Sequence, residues 1–192
     1  SSHARPTPRG GGIALVPIVV LAWSIVALHT EAPPILWIVI IAGAALGLIS
    51  WIDDVRDLPP APRFLSHIAA VAAVLFSLPG DGLVFQGLLP PLLDRLTTGL
   101  LWVWFINLYN FMDGIDGITG VETMAIGTGT AAIACLGAAV GGASPPLGLV
   151  LAAAAAGFLR WNWHPARIFM GDVGSVPIGF FAGWLLIAAA IS

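Results

Sequence analysis

Adjacent aspartates interrupt an otherwise apolar sequence, and these carboxylates are among the side chains best suited to chemistry. Asp53 and Asp54 are neighbours, and Asp57 follows them closely. Carboxylates held side by side repel one another unless a cation lies between them. Mg²⁺ commonly binds one or two protein carboxylates together with substrate phosphates. This first motif therefore indicates a divalent-cation site, and a solvated polar helix end is the alternative interpretation.

A second motif spaces four polar side chains three residues apart, at Asn107, Asn110, Asp113 and Asp116. In a helix this spacing places the first three along one face, and Asp116 continues the stripe if the helix persists. Four polar groups in so apolar a segment are expected to share a polar partner, and the glycines beside them let a ligand approach the backbone. Hydrogen bonding between helices is the alternative.

A third motif, FMGDVGS at 169–175, precedes the last apolar segment. Asp172 and Ser175 stand where side chains cap the start of a helix. Free backbone N–H groups at a helix start also attract phosphate. The motif thus indicates either an anion site or a plain N-terminal cap.

A fourth motif lies near the beginning of the chain, where Arg5 and Arg9 are followed by glycines at 10–12. Arginines bind phosphate through two parallel hydrogen bonds, and consecutive backbone amides form concave anion sites. The segment would therefore suit an anion. A positively charged membrane anchor with a flexible loop explains it equally well.

The composition decides which elements must position these motifs. Of 192 residues, 58% are hydrophobic and 9% are charged, with a mean hydropathy of +0.97. In soluble domains about a quarter of the residues are charged. Such domains do not expose the large apolar surface that this composition would require. An ordinary cytosolic domain, a disordered chain and a nucleic-acid-binding protein are excluded. A membrane crossing takes about 20 residues, so the length allows about seven crossings.

The predicted fold is all-α, a polytopic membrane helix bundle with about seven transmembrane helices. The apolar segments are 13–30, 33–52, 64–79, 96–112, 117–140, 147–161 and 174–191. They do not alternate as the strands of a membrane barrel do. The whole chain, 1–192, is predicted to be a single transmembrane catalytic domain that is incomplete at both ends. Its lone cysteine, Cys135, excludes an intramolecular disulfide.

The arginines predict the orientation of the bundle. Alternating connectors place six of the seven arginines on one side, namely Arg5, Arg9, Arg56, Arg63, Arg160 and Arg167. Under the positive-inside rule this side, with the N-terminus, is cytoplasmic. The aspartates of the motifs fall on the same side. Carboxylates for a metal beside arginines for phosphates are typical of phosphoryl transfer, in which positioning and charge neutralisation do most of the catalysis.

At these motifs the sequence resembles the polyprenyl-phosphate N-acetylhexosamine-1-phosphate transferases of glycosyltransferase family 4, and most closely their O-antigen and common-antigen branch. The matching segments are 6–11, 53–54, 107–117 and 169–175. The resemblance implies transfer of a sugar-1-phosphate from a UDP-N-acetylhexosamine to undecaprenyl phosphate, with release of UMP. It also implies dependence on Mg²⁺ or Mn²⁺, and an active site on the cytoplasmic face of the bacterial inner membrane.

The resemblance and the positions of the residues together predict their roles. Asp172 is expected to bind the metal directly, with Asp53 and Asn110 as further ligands. The expected catalytic residues are Asp53, Asp54, Asp113 and Asp116. The expected substrate-binding residues are Arg9, Arg56, Arg63, His67, Asn107, Asn110, Gly171 and Ser175.

Two of these roles have alternatives. A phosphate monoester is largely a dianion at neutral pH, so the acceptor hardly needs a general base. Asp53 and Asp54 are therefore expected to position groups through the metal rather than to remove a proton. His67 is either a contact of the lipid phosphate or an interfacial histidine.

Other functions stay open at this stage. The chain stops before the His- and Arg-bearing loop that members of the family carry, and it lacks helices before the first motif. A catalytically inactive homologue or scaffold is therefore an alternative. An ion transporter is less favoured, since its acids would lie at mid-membrane depth. A CDP-alcohol phosphotransferase would need a motif that does not follow Asp116. The donor sugar is not indicated, and a homodimer is left open.

Overall fold

The computed structural model describes residues 7–136 and 145–191. The helices in these ranges are α1 (Gly12–His29), α2 (Pro34–Arg56), α3 (Pro60–Phe76), α4 (Pro91–Met112), α5 (Ile118–Cys135), α6 (Pro145–Asn162) and α7 (Asp172–Ala190). The described residues form no strand. Helices α1, α2, α5 and α7 are long and apolar enough to cross a membrane, and α3 is a shorter apolar helix. The predicted all-α polytopic membrane bundle is confirmed.

Helix ends differ from the predicted ones where α2 meets α3. Helix α2 continues past residue 52 and ends at Arg56. The next residue, Asp57, takes a left-handed conformation with φ 53°. Helix α3 begins at Pro60 rather than at residue 64, because proline is favoured in the first turn of a helix. Asp53 and Asp54 thus lie in the last turn of α2, and Arg63 lies in the first turn of α3.

Two predicted features fall partly outside the described residues. The fifth predicted span, 117–140, corresponds to α5, which ends at Cys135. The remainder of that span from residue 137 is outside the described residues, as is Arg5 at the start of the chain.

Helix α7 is the centre of the bundle. It is almost entirely buried, and it packs against α1, α2, α4 and α5. Phe181 lies 4.8 Å from the ring of Trp23 on α1, and Phe180 stacks at 4.8 Å on Trp102 of α4. Because lipid is as apolar as these side chains, close packing holds such helices together.

Glycines allow the closest of these contacts. A Cβ at Gly12 of α1 would lie 2.2 Å from the Cα of Gly174 on α7. A Cβ at Gly127 of α5 would lie 2.5 Å from the carbonyl oxygen of Gly148 on α6. The backbones therefore touch at both points, and the first contact holds the start of α1 against the start of α7.

Replacement of Gly12 by alanine should destabilise the bundle, because the new methyl group meets backbone atoms that have no free rotation. Overpacking of this kind costs about 1–3 kcal/mol. Gly157→Ala is the matched control, since a Cβ there meets nothing within 4 Å. Thermal unfolding in detergent should show a lower midpoint for Gly12→Ala and no loss for the control. Equal midpoints would contradict the close contact of α1 with α7.

Candidate active site

All four sequence motifs meet at one end of the bundle, around the start of α7. The segment before α1 lies alongside the segment before α7 and forms a parallel bridge between Arg9 and Phe169. The N–H of Phe169 donates to the carbonyl of Pro8 at 3.0 Å, and the N–H of Gly12 donates to the carbonyl of Met170 at 2.9 Å. The first and last motifs are therefore joined through their backbones.

This bridge corrects one interpretation of the glycines in the first motif. The N–H groups of Gly10 and Gly11 both donate to the carbonyl of Phe169, at 3.2 and 3.0 Å. They are not free to cradle an anion. Gly10 instead adopts a backbone conformation with φ 119°, which residues with a Cβ atom rarely adopt.

Two carboxylates from other parts of the chain bind backbone amides at the start of α7 and just before it. Asp54 accepts a hydrogen bond from the N–H of Val173 at 3.2 Å. Asp113, which follows α4, accepts from the N–H of Gly171 at 2.9 Å and from that of Met170 at 3.2 Å. Val173 lies in the first turn of α7, where the amides lack partners within the helix and carry positive partial charge, so they favour an anion such as Asp54.

The caps predicted from the third motif are therefore wrong in detail. The N-cap residue of α7 is Gly171, which has no side chain to accept a hydrogen bond from the helix. Ser175 is fully buried and its Oγ lies 2.6 Å from Oδ1 of Asn110 on α4. The N–H groups that were expected to attract phosphate are instead used by Asp54 and Asp113.

Asp113 is buried, as are Asp53 and Asp94, and 6% of the surface of Asp113 is exposed. Burial raises the pKa of Asp113 to about 6, although hydrogen bonds from Gly171, Met170 and Thr119 oppose the shift. At neutral pH the ionised form still predominates. Both carboxylate oxygens can then accept backbone hydrogen bonds.

Arg63 links three helices at the site. Its Nε lies 2.9 Å from Oδ2 of Asp53, and its Nη2 lies 2.5 Å from Oδ2 of Asp172. The other oxygen of Asp53 accepts a hydrogen bond from the N–H of Leu58 at 2.8 Å. One guanidinium therefore ties the end of α2 and the start of α3 to the start of α7.

The second motif does not share one partner as expected. Helix α4 ends at Met112, so Asp116 lies in the following loop and accepts hydrogen bonds from the N–H of Ala166 at 3.0 Å. His164 Nδ1 lies 2.8 Å from the same carboxylate oxygen. Asn107 is exposed, and it donates to the carbonyl of Val103 in its own helix. The structure does not bring Asn107 to the others.

Asn162 is a structural residue of the site that sequence reasoning missed. It is fully buried at the end of α6. Its Oδ1 accepts from the N–H of Gly117 at 3.0 Å, and its Nδ2 donates to the carbonyl of Ile168 at 2.9 Å. It thereby joins the loop after α4 to the segment before α7. The signal available in the sequence was the position of this asparagine between two tryptophans at the end of an apolar segment.

A cavity of about 440 Å³ opens at this end of the bundle. Its lining residues are Thr7, Arg9, Asn110, Phe111, Asp113, Gly114, Phe169, Gly171 and Asp172. It brings together five of the predicted site residues, from three of the four motifs. Phe111 was not predicted, and it is 81% exposed at the edge of the cavity.

Other predicted residues lie outside this lining. Asp53, Asp54 and Arg63 act on the start of α7 through the contacts described above. Arg56 is exposed on the last turn of α2. His67 is buried on α3, one turn after Arg63, and its Nδ1 has no hydrogen-bond partner in the described chain.

The oxygen ligands that line the cavity would suit a divalent cation whose other ligands come from the phosphates of a substrate. Asp172 and Asn110 present carboxylate and amide oxygens, which Mg²⁺ prefers, and Mg²⁺ usually takes only one or two carboxylates beside phosphates. Within residues 7–136 and 145–191, no three His, Cys, Asp or Glu side chains form a metal-binding group by themselves. Asp53, a predicted third ligand, does not line the cavity.

Comparison with known proteins agrees with the sequence motifs. Residues 36–190 match the family model described as Glycosyl transferase family 4. The chain belongs to this family. The matched region contains the aspartate pair at 53–54 and the motifs at 107–117 and 169–175. The predicted family of polyprenyl-phosphate sugar-1-phosphate transferases is thereby confirmed.

Similar relatives carry names that describe such transfers. Decaprenyl-phosphate N-acetylglucosaminephosphotransferase of Mycobacterium tuberculosis is 36% identical over 98% of this chain and 50% of its own length. The enzyme of that name from Mycolicibacterium smegmatis is 34% identical over 98% and 51%. Phospho-N-acetylmuramoyl-pentapeptide-transferase of Deinococcus radiodurans is 29% identical over 96% and 65%. The chain thus spans about half the length of the mycobacterial relatives.

Replacement of Asp113 by asparagine should destabilise the protein, because an amide offers one acceptor oxygen where the carboxylate uses two. A buried donor left without a partner costs about 1–3 kcal/mol. Asp57→Asn is the matched control, since Asp57 is exposed and asparagine tolerates its left-handed conformation. Thermal unfolding in detergent should separate the two variants. Equal midpoints would show that Asp113 does not hold the start of α7.

Proposed function

We propose that this protein transfers an N-acetylhexosamine-type sugar-1-phosphate from a UDP-sugar to a polyprenyl phosphate. A phosphate oxygen of the acceptor attacks the phosphorus that carries the sugar. The bond from this phosphorus to the oxygen that bridges it to the uridine-bearing phosphorus breaks, and UMP leaves with that oxygen. The observation that carries the proposal is the cavity at the start of α7, where Arg9, Asn110 and Asp172 stand together.

The chemistry needs positioned charges more than it needs a base. The acceptor phosphate is largely a dianion at neutral pH and is already nucleophilic. Mg²⁺, or Mn²⁺, held by Asp172 and Asn110 would neutralise charge on the phosphates. Arg9 would contribute a planar pair of donors to phosphate oxygens. None of these roles requires Asp53 or Asp54 to remove a proton.

Asp54 and Asp113 support the site indirectly under this proposal. Asp54 holds the amide of Val173, and Asp113 holds the amides of Met170 and Gly171, on either side of Asp172. Arg63 connects Asp53 to Asp172. Asp54 and Asp113 fix where the start of α7, and with it Asp172, lies, and positioning of this kind is a large part of phosphoryl-transfer catalysis.

The substrates are proposed from the sequence and from the names of the relatives. N-Acetylglucosamine and decaprenyl phosphate appear in the names of the mycobacterial relatives. Undecaprenyl phosphate is the acceptor that the sequence resemblance implies. We propose that the protein lies in the bacterial inner membrane with this site facing the cytoplasm, because six of its seven arginines fall on that side.

The proposal predicts metal-dependent UMP release from a UDP-N-acetylhexosamine. The assay uses the protein in lipid nanodiscs, with undecaprenyl and decaprenyl phosphate as separate acceptors. Release should require both the lipid phosphate and Mg²⁺, and a panel of donors would identify the sugar. If no donor and acceptor pair releases UMP, the transferase proposal fails and an inactive scaffold is favoured.

Asp172→Asn should reduce this transfer by about 10²–10³-fold, the order found when one preorganised electrostatic contact to a transition state is removed. The residual activity should also depend less on Mg²⁺ concentration. Asp81→Asn is the matched control, since Asp81 is exposed in the loop between α3 and α4. Wild-type turnover by Asp172→Asn would disprove the assignment of Asp172.

A further inference from the structure

Asp172 faces two competing demands. It lines the cavity, where the proposed function requires it to bind a divalent cation. The structure shows its Oδ2 bonded to Nη2 of Arg63 at 2.5 Å. A guanidinium and a divalent cation on the same carboxylate oxygen repel each other and need the same lone pairs. Full coordination of a cation by Asp172 is therefore opposed by Arg63.

The two contacts of Arg63 are unequal. Asp53 has only 6% of its side chain exposed, and Asp172 has 22% exposed. Asp53 is also held by the N–H of Leu58. The contact with Asp53 therefore anchors the guanidinium, and the contact with Asp172 is the one that can be released. The side chain of Arg63 is itself 36% exposed, so it has room to move.

We propose that Arg63 is an internal counter-ion that competes with the divalent cation for Asp172. Without substrate, the guanidinium neutralises Asp172 and keeps the affinity for the free cation low. When a nucleotide diphosphate brings further oxygen ligands and negative charge, the cation displaces Nη2 of Arg63 and Asp172 becomes its ligand. The inference rests on the proposed function in one respect, the role of Asp172 as a cation ligand.

Competition and a merely structural salt bridge predict opposite changes in cation affinity when Arg63 is removed. A structural role for Arg63 predicts that its removal disorders the site and weakens cation binding. Competition predicts that removal frees Asp172 and strengthens cation binding. Arg63→Gln and Arg63→Lys separate the two, since lysine keeps the charge but lacks the fork that spans two carboxylates.

The experiment measures binding of Mn²⁺ to the protein in zwitterionic nanodiscs, without substrates, from the electron paramagnetic resonance signal of free Mn²⁺. We expect Arg63→Gln to bind Mn²⁺ about tenfold more tightly, the order expected when a competing charge-assisted hydrogen bond is lost. Arg63→Lys should be intermediate. Arg160→Gln, an exposed position on the last turn of α6, controls for net charge and should match wild type. Asp172→Asn should lose the site.

A second titration adds UDP. It should tighten Mn²⁺ binding to wild type more than to Arg63→Gln, because the variant has no counter-ion to displace. Thermal unfolding checks that each variant is folded, and Arg63→Lys carries the test if Arg63→Gln is not. Equal or weaker Mn²⁺ binding by the folded Arg63 variants would overturn the competition alone. If wild type binds no Mn²⁺ even with UDP, the metal role of Asp172 fails and the competition fails with it.

Discussion

The backbone amides at the start of α7 and in the two residues before it must find acceptors, and the organisation of the site depends on this requirement. Helix α7 is buried among its neighbours, and a helix start without partners inside a protein is costly. Asp54 of α2 accepts from the amide of Val173 in the first turn, and Asp113 after α4 accepts from the amides of the two residues before the helix. Meeting this demand draws the end of α2 and the end of α4 to one point, and that point is where Asp172 faces the cavity.

The same point is held from two further directions. The backbone bridge between Arg9 and Phe169, together with the contact of Gly12 with Gly174, fixes the start of α1. Arg63 adds a charged link from α3. A site with this many constraints is preorganised, so little rearrangement of protein dipoles is needed when phosphate charge arrives. The partly exposed side chain of Arg63 is the part that our proposal expects to move.

Much of this arrangement could be predicted from the sequence, but the division of labour among the aspartates could not. Apolar segments indicated the helices, and the motifs indicated one shared end. From the sequence, Asp54 and Asp172 were both expected to bind a metal or to lie near a phosphate. In the structure, one oxygen of Asp54 accepts a hydrogen bond from a backbone amide that only the fold brings near. Asn107 was misjudged for a geometric reason: three residues fall about 60° short of a full helical turn, so the stripe rotates away from the site.

The most direct test of this account is to locate the cation. Crystals of the protein grown with Mn²⁺ and UDP would give an anomalous difference map at the manganese edge. The account predicts a peak roughly 2 Å from a carboxylate oxygen of Asp172. Asp54 should still accept from Val173, and Asp113 should still accept from Met170 and Gly171. A peak bound by Asp54 or Asp113, with Asp172 still paired to Arg63, would contradict it.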